Sequence, residues 1–96
     1  GPQSDLTSLR AYHRLMSDRP LLSVNWYTRA IYDPKQHLKL IEDTRSQTLS
    51  LFDLKRDPRE LTNRCDLEQS RCREMKERLD LLLHYGGGRQ PIDYKK

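Results

Sequence analysis

Leu51-Phe52-Asp53-Leu54-Lys55-Arg56-Asp57-Pro58-Arg59-Glu60-Leu61-Thr62-Asn63 runs from an apolar, aromatic stretch straight into Asp-Pro-x-Glu without a glycine. Its reading decides the fold. Asp57 at an N-cap, Pro58 at the first helical position and Glu60 three residues past the cap predict a single helical turn. The Asp carboxylate accepts a backbone N–H, Pro needs to donate none, and Glu suits the positive helix end. Such a turn redirects the chain sharply after a strand. Asn63 is then placed to hold the next corner through side-chain to backbone hydrogen bonds. The carboxylates read first as corner builders, ahead of any reacting role.

Upstream of the corner the chain alternates. Leu21 to Tyr32 predicts one long strand, with Leu22, Val24, Trp26, Thr28, Ala30 and Tyr32 on one face and Ser23, Asn25, Tyr27, Arg29 and Ile31 on the other. Asp33-Pro34-Lys35-Gln36 supplies a turn, with Pro34 pre-setting φ. His37 to Asp43 reads as the return strand, Thr44 to Gln47 as a second turn, and Thr48 to Leu54 as a third strand. That last strand carries Leu49 and Leu51 on one face and Phe52 and Leu54 on the other, so both faces of the sheet want cover or a bulge resets the alternation, since a sheet with one solvated face alternates cleanly.

Two helices flank the meander. Ser4 to Met16 begins with a capping residue and spaces Leu6, Leu9, Tyr12 or His13, and Met16 for a short amphipathic helix. From Asp66, with Gln69 as a capping-box partner, Leu67, Cys72, Met75, Leu79, Leu82 and Leu83 form the stripe of a long helix that Gly86 stops. The fold class is therefore α+β: a small antiparallel sheet of three to four strands packed by a long C-terminal helix, with a short N-terminal helix. Residues 1–3, opening on Gly-Pro, read as an expression scar or disordered, 4–86 as the folded subdomain, and 87–96 as a disordered tail. No repeat is evident.

The chain has 18 basic and 14 acidic residues, a formal charge of +4, but they are largely interleaved. Interleaved charge solvates faces, whereas nucleic-acid binding wants a clustered basic face. Cys65 and Cys72, if both lie on one helix, sit about 10 Å apart at 1.5 Å rise per residue. That spacing excludes a disulfide and predicts free thiols. Without a Cys-x-x-Cys pair or adjacent His they make no metal site. No apolar run reaches the length of a membrane span.

The order Lys39-Leu40-Ile41, a polar turn, Leu51-Phe52-Asp53-Leu54, then Asp57-Pro58-Arg59-Glu60-Leu61-Thr62-Asn63 and a charged amphipathic helix resembles the C-terminal subdomain of arylsulfatase-type sulfatases, members of the alkaline-phosphatase-like superfamily. Asp18-Arg19-Pro20-Leu21-Leu22-Ser23 is similar to the stretch leading into that subdomain's first strand. The resemblance spans roughly residues 6–85, and its specific part is the pairing of Phe-Asp-Leu with Asp-Pro-x-Glu-x-x-Asn. Where the family continues after the Asn with an apolar residue, this chain has Arg64 and Cys65.

The resemblance implies a parent that hydrolyses sulfate esters with a formylglycine made from a Cys/Ser-x-Pro-x-Arg motif beside calcium. Neither cysteine here opens that motif, so the chain itself is expected to be a non-catalytic subdomain without metal ligands or a cofactor of its own. Its implied partner is the catalytic domain of the parent. Trp26, Leu49 and Leu51 are the candidate docking face, covered in this chain only by the short first helix. Asn25, Lys35, His37 and Arg45 are candidate contacts at the rim of a substrate pocket, and Phe52, Asp53, Asp57, Pro58, Glu60 and Asn63 form the structural motif. Family habit implies a secreted or periplasmic parent, which free cysteines would oppose. The competing readings are an autonomous interaction or homo-oligomerisation module and a basic surface for polyanions, the latter marked by salt-dependent binding.

Overall fold

Asp33, Asp43 and Asp53 lie ten residues apart, and each ends a strand. In each case Oδ1 accepts the backbone N–H groups two and three residues on: Lys35 and Gln36, Arg45 and Ser46, Lys55 and Arg56. An aspartate that mimics a backbone turn in this way reverses the chain without glycine. The first two turns close with His37 and Gln47 at φ of 59° and 58°, the left-handed step that brings the next strand into line. This ten-residue spacing is a short repeat carried by the turn aspartates and not by the hydrophobic pattern.

The computed structural model describes residues 6–86. Along it run α1 (Leu6–Ser17), β1 (Leu21–Val24), β2 (Thr28–Asp33), β3 (Leu38–Asp43), β4 (Thr48–Asp53) and α2 (Gln69–Tyr85). The four strands form one antiparallel sheet in sequence order. The α+β class and the flanking helices are as expected. Ser4 and the proposed terminal segments 1–3 and 87–96 lie outside the described residues.

The long first strand is instead a hairpin. Asn25 Oδ1 accepts the N–H groups of Tyr27 and Thr28 at 3.1 and 2.9 Å and the Thr28 hydroxyl at 2.7 Å, folding Trp26 and Tyr27 into a two-residue loop. This reverses the face assignment beyond the loop. Leu22, Ile31, Leu40 and Leu51 stand in one cross-strand row and are fully buried, whereas Ala30 and Tyr32 fall on the opposite face.

That buried row packs against Cys72, Met75, Leu79 and Leu82 of α2, spaced three and four apart as one helical face. Leu15 of α1 joins the same core, and α1 packs chiefly on α2. Both helices thus share one side of the sheet, and α1 does not cover the other side as expected. The outer face carries Phe52 and Ala30, both buried, beside half-buried Tyr32 and Ile41.

The start of α2 also departs from expectation. The helix begins at Gln69 rather than Asp66, its N-cap is Glu68 with no side-chain cap bond, and Leu67 lies before it, exposed. Gly86 caps the other end in ordinary right-handed geometry, donating its N–H to Leu82 O. Two charged clusters pin α2 to the sheet. Arg78 Nη1 reaches the buried Asp33 carboxylate at 3.2 Å, and Lys76 Nζ bridges Glu42 and Asp80 at 3.4 and 2.7 Å. Partial burial works against the Lys76 charge, but the Asp80 and Glu42 carboxylates outweigh it and hold its pKa above the ordinary lysine value.

Candidate functional site

The stretch from Asp53 to Arg64 is a strap along the outer edge of β4. Asp57 N donates to Asp53 O, and Glu60 N to Asp57 O. The Asp57 carboxylate accepts the N–H groups of Leu61 and Thr62, each at 3.0 Å. The carboxylate does take up backbone donors, but around a non-helical turn: Glu60 has a φ of 57°, which no helical turn contains. Glu60 consequently faces Lys39 on the outer side of the sheet, 2.9 Å from its Nζ, and does not sit at a helix end.

Asn63 then fastens the strap to the strand. An edge strand presents alternate N–H and C=O groups to solvent and invites pairing with another chain. Here Leu51 N donates to Asn63 Oδ1 at 3.0 Å, Leu49 O accepts from Asn63 Nδ2 at 3.1 Å, and Leu51 O accepts from Arg64 N at 2.8 Å. Asn63 Oδ1 takes a second donor, Cys65 N, at 3.0 Å and starts the turn that leads to α2. The expected corner role of Asn63 is realised, and one amide serves both strand and turn.

That turn corrects the reading of the cysteines. Cys65 lies in the turn ahead of α2 and Cys72 in its first turns, so the helical spacing never applies. Their Cα atoms are 5.2 Å apart and the two are joined in a disulfide, inside the usual bridging range. The bridge ties the end of the strap to the helix that covers the core.

Because two backbone N–H groups of Leu61 and Thr62 bind the ionised form of Asp57, its pKa lies below the ordinary aspartate value of 3.8. A carboxyl depressed by folding stabilises the fold above its unfolded pKa, and that contribution is lost as the pH falls through the folded value. The amide resonances of Leu61 and Thr62 are therefore expected to titrate with a midpoint below the ordinary aspartate value of 3.8. In Asp57→Asn the same titration should be flat.

The four candidate rim residues do not converge. Lys35 and His37 belong to the β2–β3 turn at one end of the sheet, and Asn25 and Arg45 to the β1–β2 and β3–β4 turns at the other. His37 Nδ1 lies 3.3 Å from the Tyr32 hydroxyl, while its carbonyl accepts from Leu54 N. Lys35 Nζ is 3.8 Å from Asp18 and largely exposed, a pair of little energetic weight. Asn25 spends its amide oxygen on its own loop. The candidate docking face divides as well. Leu51 is buried under α2 and Leu49 packs against the core, whereas Trp26 is 91% exposed at the hairpin tip.

Arg45 meets that tip. Its guanidinium carbon stands 4.0 Å from the centre of the Tyr27 ring, in cation–π contact. Thr44 donates both its N–H and its hydroxyl to Tyr27 O, at 2.7 and 2.8 Å, bolting the two turns together. The alternating pattern hid this cluster because it placed Trp26 and Tyr27 inside a strand; Asn25 before two aromatics was the signal. Elsewhere a groove of about 290 Å³ between α1 and α2 is lined by side chains of both signs, Arg14, Asp18, Glu77 and Arg78 among them. Among the described residues no three His, Cys, Asp or Glu side chains are grouped to hold a metal ion, and no helix is long and apolar enough to cross a membrane.

Comparison with family models, with curated proteins and with solved structures finds no match to this chain. The sulfatase resemblance rests on the residues quoted above.

Proposed function

We propose that the chain is the non-catalytic C-terminal subdomain of a sulfatase-type sulfuric ester hydrolase, docking on the catalytic domain of its parent. The observation that carries this reading is the fate of the Asp-Pro-x-Glu-x-x-Asn motif. Asp57 and Asn63 are spent on backbone groups, and Glu60 on Lys39, so the motif shapes this chain's own corner and sheet edge, which supports a scaffolding role. The sheet's aspartates are likewise engaged by turn N–H groups. In this reading the calcium and the formylglycine belong to the catalytic domain, and no step of the chemistry passes through this chain.

The Cys65–Cys72 bridge suits a parent matured in an oxidising compartment, secreted or periplasmic, because disulfides persist there and are rare in the cytosol. The paired state also removes the objection that free thiols would raise. A self-contained core, closed by α2 and stapled to the strap, favours a second reading: an autonomous interaction module that keeps the fold without the chemistry.

Reconstitution separates the two. The polypeptide encoded upstream of this chain is expected to carry a Cys/Ser-x-Pro-x-Arg motif and to cleave an aryl sulfate poorly alone. Adding this chain should restore at least tenfold of that activity. Absence of the motif, or activity indifferent to this chain, would favour the module.

A further inference from the structure

We infer that the Cys65–Cys72 bridge is a thiol-operated latch on the β4 edge: closed, it holds the strap in place, and opened by an external dithiol it lets residues 63–68 lift and bares the edge. From residue 53 to residue 71 none of the side chains is buried, and Leu67 stands exposed. Cys65 alone of these residues packs against the core. Upstream, Glu60 on Lys39 and the Thr62 N–H on the Asp57 carboxylate fix the strap. Downstream, its first hold on the core is the bridge.

What lies between those points is polar. Asn63 and Arg64 N meet Leu49 and Leu51 through hydrogen bonds of 2.8 to 3.1 Å, and each adds little net stability because water takes either partner when the strap lifts. The helix beyond offers no second anchor, since α2 starts without a side-chain cap and the Glu68 carboxylate goes to Arg64 and Arg71, its neighbours in the same stretch. A segment with few buried contacts and exposed hydrogen bonds opens locally. With the bridge closed, Asn63 is leashed to the core through Arg64 alone. With it open, the leash is the whole stretch from Arg64 to Cys72.

The exchange that opens it balances in thiols. Cys65 is the less buried cysteine, Cys72 being 5% exposed, so the incoming thiolate meets Cys65 Sγ, forms a mixed disulfide and expels Cys72 as a thiolate, which takes a proton. The second thiol of the reductant then displaces Cys65. Two electrons and two protons pass to the cysteines, and the dithiol leaves as its own disulfide.

The test is backbone NMR relaxation on this chain before and after treatment with dithiothreitol. Order parameters of residues 63–68 are expected to fall below about 0.6 on reduction, while those of Ile31 and Leu40 stay near about 0.85. Cys65→Ser/Cys72→Ser should show the same pattern without the dithiol, and reoxidation should restore the order. Amide exchange reads the edge itself. In the reduced chain Leu51 should exchange at a rate that low urea does not change, the mark of local opening, while exchange at Leu40 rises with urea. Order parameters that ignore reduction would make the bridge a plain staple and overturn the latch. Disorder spreading to Ile31 and Leu40, or Leu51 exchange rising with urea in step with Leu40, would mean that the edge is bared only when the whole fold opens, and would overturn it as well.

Discussion

Reducing the Cys65–Cys72 bridge is expected to lower the melting temperature by about 10–15 °C. Closing the short loop between these cysteines removes unfolded-state entropy worth about 2–3 kcal/mol in the chain-entropy account, and in a domain of this size each kcal/mol moves the midpoint by about 4–8 °C. The native side adds to the effect. Cys72 is buried on the face of α2 that covers the core, so the bridge ties the strap to the packed core. Calorimetry with and without a dithiol checks the value, and Cys65→Ser/Cys72→Ser should reproduce the reduced state. A midpoint moved by less than about 2 °C would mean that the strap is held without the bridge.

Asn63→Ala is expected to cost about 2 kcal/mol. The substitution leaves Leu51 N–H and Leu49 C=O, at the edge of β4, without the amide that pairs them, and frees the turn at Cys65. Arg64 N still reaches Leu51 O, so the edge loosens and does not detach. Urea denaturation measures the loss, and hydrogen exchange locates it. The amides of Ile31 and Leu40, in the middle of the sheet, should speed up only by the roughly 30-fold that 2 kcal/mol of global loss imposes, while the Leu51 amide, freed locally, should speed up by more than that. Asn63→Asp keeps the acceptor but not the donor, and should fall between the two. If Leu51 exchanges at the same rate in all three proteins, the strap does not guard the edge.

What the sequence makes legible follows from how each signal is produced. The α2 stripe and the β3 strand come from burial on one face, which periodicity records directly, whereas β4 shows as a short apolar run because Leu51 and Phe52 are buried on opposite faces. Asn63 was legible as a corner because an asparagine between a strand and a helix has few other uses. The hairpin at Asn25 was hidden because a two-residue loop interrupts the alternation too briefly to be noticed, and the inversion of the β2 faces followed from that. The disulfide was excluded by a distance that holds only on a helix. Cys65 precedes α2, and the turn set by Asn63 brings it to Cys72. The tip cluster was half legible: Trp26 and Arg45 were each singled out, but only the tertiary bond from Thr44 to Tyr27 O places them together.

Docking is the claim on which the functional account turns, and sedimentation velocity tests it most directly. An equimolar mixture of this chain and the polypeptide encoded upstream of it is expected to run as a single 1:1 species at micromolar concentration. Two independent boundaries at every concentration, with this chain sedimenting as it does alone, would contradict the account.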